Sequence, residues 1–173
     1  TSAKDNLYAI TELLEDYHLS SHCIVVEGGS TRQESVVEGL KHVTSERVLI
    51  HEGARPLIDN ELIDRVLAAD ADCAVPTIQI PFTVAVGEST MENELDRAQL
   101  HNVQLPQVFN TEVIRKAHER AIENGEAATE DSVLVHRMGN EVLFVKGSQK
   151  NIKITYPEDL VIAETLIFGE NNT

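Results

Sequence analysis

The feature that most constrains this chain is a change of period. Segments with apolar residues at helical spacing alternate with short apolar runs too brief to be helices. Leu7, Ile10, Leu13, Leu14 and Tyr17 mark a first helix with Ser2 as its cap, and His22–Glu27 (HCIVVE) predicts a buried strand. Gly28-Gly29-Ser30 turns the chain. Thr31-x-x-Glu34 then reads as a capping box opening a helix with Val36, Val37 and Leu40 on one face. Arg47–His51 predicts the next strand, Leu62, Ile63, Val66 and Leu67 a helix, and Cys73–Ile78 a further strand. Strands buried on both faces read as unbroken apolar runs, so the alternation predicts an α/β fold, a mostly parallel sheet with helices on both faces.

The middle of the chain breaks this rhythm. From about 81 to 104, FTVAV and AQLHNV alternate in period two around the polar GESTMENELDR, which predicts a β-arm projecting from the sheet. A lone ribbon is marginally stable, so a partner subunit is expected to cover it. Helices follow at Glu112–Asn124 and Glu130–Met138, then a strand at Val142–Val145 and a second short strand at NIKIT. The last helix is expected to open at Thr155-x-x-Glu158, with Pro157 in the first turn where it is tolerated. Such sheets normally start on a strand and a glycine-rich turn, whereas this chain starts on a helix. The expectation is a single but incomplete domain over 1–173, with the first strand–helix unit missing.

Charge excludes whole classes of partner. The 173 residues carry 14 Lys and Arg against 29 Asp and Glu, a net charge of −15. That field repels nucleic-acid phosphates and anionic membrane surfaces, so neither is expected as a partner. No apolar run approaches the ~18 residues of a membrane span, and no signal segment opens the sequence, which reads as cytoplasmic. Cys23 and Cys73 both lie in apolar runs and read as small core residues.

In a parallel α/β sheet, ligands bind beyond the carboxyl ends of the strands. The Gly28–Arg32 turn offers bare backbone N–H groups at the start of a helix, which suits an anionic or planar ligand; a tight turn with a good cap fits it as well. His51-Glu52-Gly53-Ala54-Arg55-Pro56 leaves a strand end with an acid able to hold magnesium, or simply to pair with Arg55. Lys153 lies between Ile152 and Ile154, facing either a cleft or solvent, and Arg97 in the arm has the same two readings. Thr129-Glu130-Asp131 reads as a helix cap with acids in the first turn. The seven histidines form no convincing metal cluster.

Taken in order, several strings resemble one family. They are Gly28-Gly29-Ser30-Thr31-Arg32-Gln33-Glu34-Ser35-Val36 with Gly39-Leu40, and Val48 through Pro56 (VLIHEGARP). Asp96-Arg97, Leu105-Pro106-Gln107-Val108-Phe109 and Thr129-Glu130-Asp131 come next, then Gly147 with Asn151 through Thr155 and Pro157 through Leu160. The pattern is similar to the sugar-phosphate cytidylyltransferases that make CDP-methylerythritol from 2-C-methyl-D-erythritol 4-phosphate, and to their ribitol-5-phosphate relatives.

The resemblance implies a Rossmann-like nucleotidyltransferase, a homodimer through interlocking β-arms, and substrates CTP and a sugar-alcohol phosphate with Mg²⁺. It implies nucleotide binding by Gly28, Gly29, Arg32, Ser35 and Gly53, and acceptor binding by Arg55, Arg97, Thr129 and Lys153. Lys153 and Arg97 would be catalytic and Glu52 the metal ligand. Where the family usually has Asp, Thr and Asp-Thr-x-Lys, this chain has Glu52, Leu105 and Phe82-Thr83-Val84-Ala85. Those departures keep two alternatives open: ribitol 5-phosphate as acceptor, or a catalytically weakened homologue serving as a binding or dimerisation module.

Overall fold

The computed structural model describes residues 1–169. In chain order the elements are α1 (Leu7–Asp16), α2 (Arg32–Leu40), β1 (Arg47–Ile50), α3 (Asn60–Leu67), β2 (Cys73–Gln79), β3 (Val84–Val86), β4 (Asn93–Leu95), β5 (His101–Val103), β6 (Gln107–Asn110), α4 (Thr111–Asn124), α5 (Asp131–Arg137), β7 (Leu143–Lys146) and α6 (Pro157–Phe168). Among the described residues, no helix is long and apolar enough to cross a membrane. The chain divides into two compact units, one of Thr1–Val48 with Phe109–Glu141, the other of Leu49–Val108 with the chain from Val142 onward.

The expected α/β architecture is present as a mixed sheet. Its strands run β1-β6-β2-β5, with β7 also paired to β2. β7 is parallel to β2, from Ala74 opposite Leu143 to Thr77 opposite Lys146, while β5 is antiparallel, with Thr77 opposite Val103 and Gln79 opposite His101. In the second unit α3 is started by Asp59, whose carboxylate accepts from Leu62 N at 2.7 Å. Its Leu62 and Val66, one turn apart and fully buried, pack with Ala69, Ala74, Val108 and Val145. Full burial of Leu62, Val66 and Val108 contributes about 1.5–3 kcal/mol each.

The first unit is held by its helices, α2 against α4 and α4 against α5. Asn110 caps α4 by accepting from Glu112 N and Val113 N, and Gly125 ends it in the left-handed region at φ 65°. Ile114, Ala117, His118 and Ala121 recur at helical spacing and form its buried stripe.

Several expectations need correction. His22–Glu27 is not a strand: it makes a single parallel bridge, Glu27 opposite Ser2, in which Ser2 N donates to the Val26 carbonyl and the Ser2 carbonyl accepts from Gly28 N. A strand exists only where its N–H and C=O row is answered by a neighbour, and apolar composition alone does not supply one. Ser2 does not cap α1, which starts at Leu7 with Asn6 as its N-cap, and Cys23 is exposed while Cys73 is buried. The ribbon pairs Val84 with Leu95 and Val86 with Asn93, so its second leg lies in the polar stretch. The AQLHNV segment instead makes a 3₁₀ turn at Arg97–Gln99 and then β5 on the main sheet. NIKIT is irregular. The last helix starts one residue later than its expected cap: Tyr156 is the N-cap, and Asp159 accepts from Thr155 N and Tyr156 N.

Candidate active site

The expected site residues fall into groups held inside separate units. In the first, Thr31 caps α2 by accepting from Glu34 N at 3.1 Å, as the capping box requires. The Glu34 carboxylate does not return to Thr31 as its main partner. It accepts from Ser30 Oγ at 2.6 Å and Ser30 N at 2.7 Å, and these bonds hold its pKa below the usual carboxylate range. Ser35 Oγ donates to the Thr31 carbonyl at 2.8 Å and the Gly29 carbonyl at 3.4 Å. A Cβ on Gly28 would sit 2.7 Å from Ser35 Oγ, and one on Gly29 would run into the Glu34 side chain. Both glycines are therefore needed for the turn to fold back on the helix.

Arg32, in the first turn of α2, is already committed. Its Nη2 donates to Asp131 Oδ2 at 2.7 Å and lies 3.8 Å from a Glu130 oxygen. Asp131 does not face solvent as a first-turn acid would; its side chain is 1% exposed, and Oδ1 accepts from His118 Nε2 at 3.0 Å. Burial alone would raise the pKa of this carboxyl, but the bonds from His118 and Arg32 outweigh it and hold the pKa low. Thr129 is exposed two residues earlier, and Glu130, not Thr129, is the N-cap of α5, without a side-chain cap bond.

In the second unit the loop after β1 meets the segment that follows β7. Ile154 N donates to the Ala54 carbonyl at 2.8 Å, which lays Asn151–Thr155 along Glu52–Arg55. Lys153 Nζ, a hundred residues away in sequence, donates to Glu52 Oε1 at 2.8 Å, and Arg55 Nε lies 3.5 Å from Glu52 Oε2. One carboxylate thus holds both cations. Arg55 is buried and donates through Nη1 to the Asn151 carbonyl at 2.9 Å, while His51 Nε2 donates to the Arg55 carbonyl at 2.9 Å. Gly53 is exposed, with open space where a Cβ would stand. Among the described residues no three metal-binding side chains cluster.

Beneath this loop lie residues that spacing had not marked. Asn151 is fully buried and donates to the Leu105 carbonyl at 2.6 Å; Gln104 donates to the Ser148 carbonyl and accepts from Ser148 N. A Cβ on Gly147 would meet the Gln104 amide and, at 2.9 Å, the Thr77 carbonyl, which accounts for glycine there. Leu105 is fully buried, so the site loses a hydroxyl where the family pattern has Thr and the core gains an apolar side chain. Arg97, in the 3₁₀ turn that follows β4, donates to the Pro81 carbonyl at 3.0 Å. His118 had a legible signal, since its place on the Ile114–Ala121 stripe predicts burial. Asp131 and Asn151 stand only in the strings that carry the resemblance, and Gln104 has no signal.

The geometry can be compared with known proteins. Residues 2–168 match the family profile for IspD, 2-C-methyl-D-erythritol 4-phosphate cytidylyltransferase. The enzyme of that description from Caldanaerobacter subterraneus is 40% identical, over 96% of this chain and 76% of its own length. The one from Clostridium novyi is 38% identical, over 95% and 74%. Among solved structures, the 4-diphosphocytidyl-2C-methyl-D-erythritol synthase of Anaerococcus prevotii superposes with a TM-score of 0.86 at 29% identity, covering 95% of this chain and 78% of that one. The Thermus thermophilus 2-C-methyl-D-erythritol 4-phosphate cytidylyltransferase gives 0.77 at 38% identity, covering 82% and 71%.

Proposed function

Because the chain belongs to the 2-C-methyl-D-erythritol 4-phosphate cytidylyltransferase family, we propose that it joins CTP and 2-C-methyl-D-erythritol 4-phosphate into CDP-methylerythritol, an isoprenoid precursor, with release of pyrophosphate. The observation that carries this reading is the Glu52 carboxylate holding Lys153 and Arg55 together on the loop beyond β1. An oxygen of the acceptor phosphate forms a bond to the α-phosphorus of CTP, and the bond from that phosphorus to the bridging α–β oxygen breaks. Pyrophosphate carries away the electron pair. Both reactants are polyanions, so the protein's work is alignment and charge neutralisation. In a chain of net charge −15, a pair of gathered cations is the feature that favours this chemistry.

The family resemblance supports the following roles. Gly28, Gly29 and Ser35 shape the turn for cytosine and ribose, and Gly53 leaves room for the base. Lys153, 46% exposed at its side chain, has the freedom to leave Glu52 for a phosphate oxygen. Arg55, buried and bonded to Asn151, acts as a fixed charge for the acceptor, with Thr129 and Arg97 as further acceptor contacts. Mg²⁺ is commonly held by one or two carboxylates plus substrate phosphates, and Glu52 fits as that carboxylate. When bound there, the ion supplies neutralisation of the triphosphate charge.

The reading also takes 1–173 as one domain with an arm, in a cytoplasmic homodimer. Phe82 and Met91, on and beside the arm, are 74% and 65% exposed, which suits a surface covered by a second copy. The test is pyrophosphate release from CTP with each acceptor in turn. Turnover with 2-C-methyl-D-erythritol 4-phosphate at least tenfold above that with ribitol 5-phosphate supports the proposal; turnover with neither defeats it.

A further inference from the structure

The first turn of α2 and the segment carrying Thr129 are stitched together, though they lie more than ninety residues apart in sequence. Arg32 Nη2 donates to Asp131 Oδ2 at 2.7 Å. Next to it, Gln33 Nε2 donates to the Glu126 carbonyl at 3.3 Å, and Gln33 Oε1 accepts from Ala128 N at 3.2 Å. Thr129 thus sits between two anchored neighbours, Ala128 and Asp131. The Asp131 end is fastened again from below by His118 on the buried stripe of α4. None of these bonds is needed to cap α2, which Thr31 already does. They join the glycine turn to the Thr129 segment as one piece.

We propose that Gln33 and Asp131 are positioning residues that couple the two substrates: a nucleotide seated on the glycine turn sets Thr129 for the acceptor phosphate. The proposal rests on the cytidylyltransferase reading. Neither side chain touches substrate; each acts through the segment it holds. Coupling of this kind is reciprocal, so the acceptor must tighten the nucleotide by the factor with which the nucleotide tightens the acceptor. Cutting the ties should abolish that factor while leaving each separate site in place.

The decisive variant is Gln33→Ala, which removes the ties to Glu126 and Ala128 from a half-buried surface position; Asp131→Asn is the more severe companion. Calorimetry with the non-hydrolysable α,β-methylene analogue of CTP, with and without saturating 2-C-methyl-D-erythritol 4-phosphate, reads the coupling directly. We expect about fivefold or more in the unaltered chain. Gln33→Ala should bring it below twofold, with each ligand's affinity alone changed less than threefold. Hydrogen exchange at 126–131 gives a readout that needs no acceptor: the analogue slows it in the unaltered chain and not in Gln33→Ala. Undiminished coupling in Gln33→Ala, or independent binding in the unaltered chain, overturns the proposal. Nucleotide-dependent protection of 126–131 in a chain without turnover would support the tie and defeat the functional reading instead. Turnover with uncoupled binding would do the reverse.

Discussion

Replacing Lys153 by Ala separates transition-state work from structural work at one position. Its ammonium lies 2.8 Å from Glu52 Oε1, but the side chain is 46% exposed. An exposed ion pair of this kind contributes roughly 0–1 kcal/mol to stability, so the melting temperature should fall by a few degrees at most. A donor aimed at charge that develops during the reaction is worth more. Removing a single such donor from an active site costs about 2.7–4 kcal/mol, or 10²–10³ in kcat. The expected outcome is therefore a loss of at least a hundredfold in kcat at saturating CTP and acceptor, with thermal unfolding almost unchanged. Lys153→Arg should recover only part of the loss, since a planar fork replaces a compact point charge. Steady-state pyrophosphate release and a thermal melt on the same samples provide the assay. A drop in kcat below threefold would refute the role, and so would a loss that simply tracked a fall in melting temperature.

The remaining expectations are simpler. The Asp131 carboxyl titrates lower in the folded chain than in the unfolded one, so its contribution is complete above the ordinary carboxylate value of about 3.9 and disappears as pH falls through the lower folded value. Denaturant midpoints measured from pH 6 down to pH 2 should show a steeper acid loss in the unaltered chain than in Asp131→Asn; equal slopes would mean that Asp131 does not supply it. Replacing Phe82 and Met91 by Ser should shift a sedimenting dimer to monomer at micromolar concentration, and an unchanged dimer would place the interface elsewhere.

The legible parts of the fold are those decided locally. Leu62 and Val66 announce α3 by spacing alone, and the helix expected at Glu112–Asn124 is α4, one residue longer at its start. What is decided at a distance is not legible locally. HCIVVE has strand composition, but a strand also needs a neighbour, and only Ser2 answers it. AQLHNV alternates as a ribbon leg should, yet the same alternation suits a strand beside Thr77–Gln79, which is where β5 lies. The candidate site divides in the same way. Alternation set Lys153 apart from Ile152 and Ile154, and the chain does leave Lys153 exposed between two half-buried isoleucines without forming a strand. Asp131 looked like a first-turn acid because its partners, Arg32 and His118, are remote in sequence and nothing local predicts them.

The most direct measurement follows an oxygen. With the bridging ester oxygen left unlabelled and the terminal acceptor phosphate oxygens carrying ¹⁸O, in-line attack on the α-phosphorus leaves every labelled atom in the diphosphate product, including its bridge, and none in pyrophosphate. Mass spectrometry showing a labelled CDP-alcohol and unlabelled pyrophosphate is the predicted result. Label in pyrophosphate, or no diphosphate product after prolonged incubation with CTP and Mg²⁺, would contradict the account.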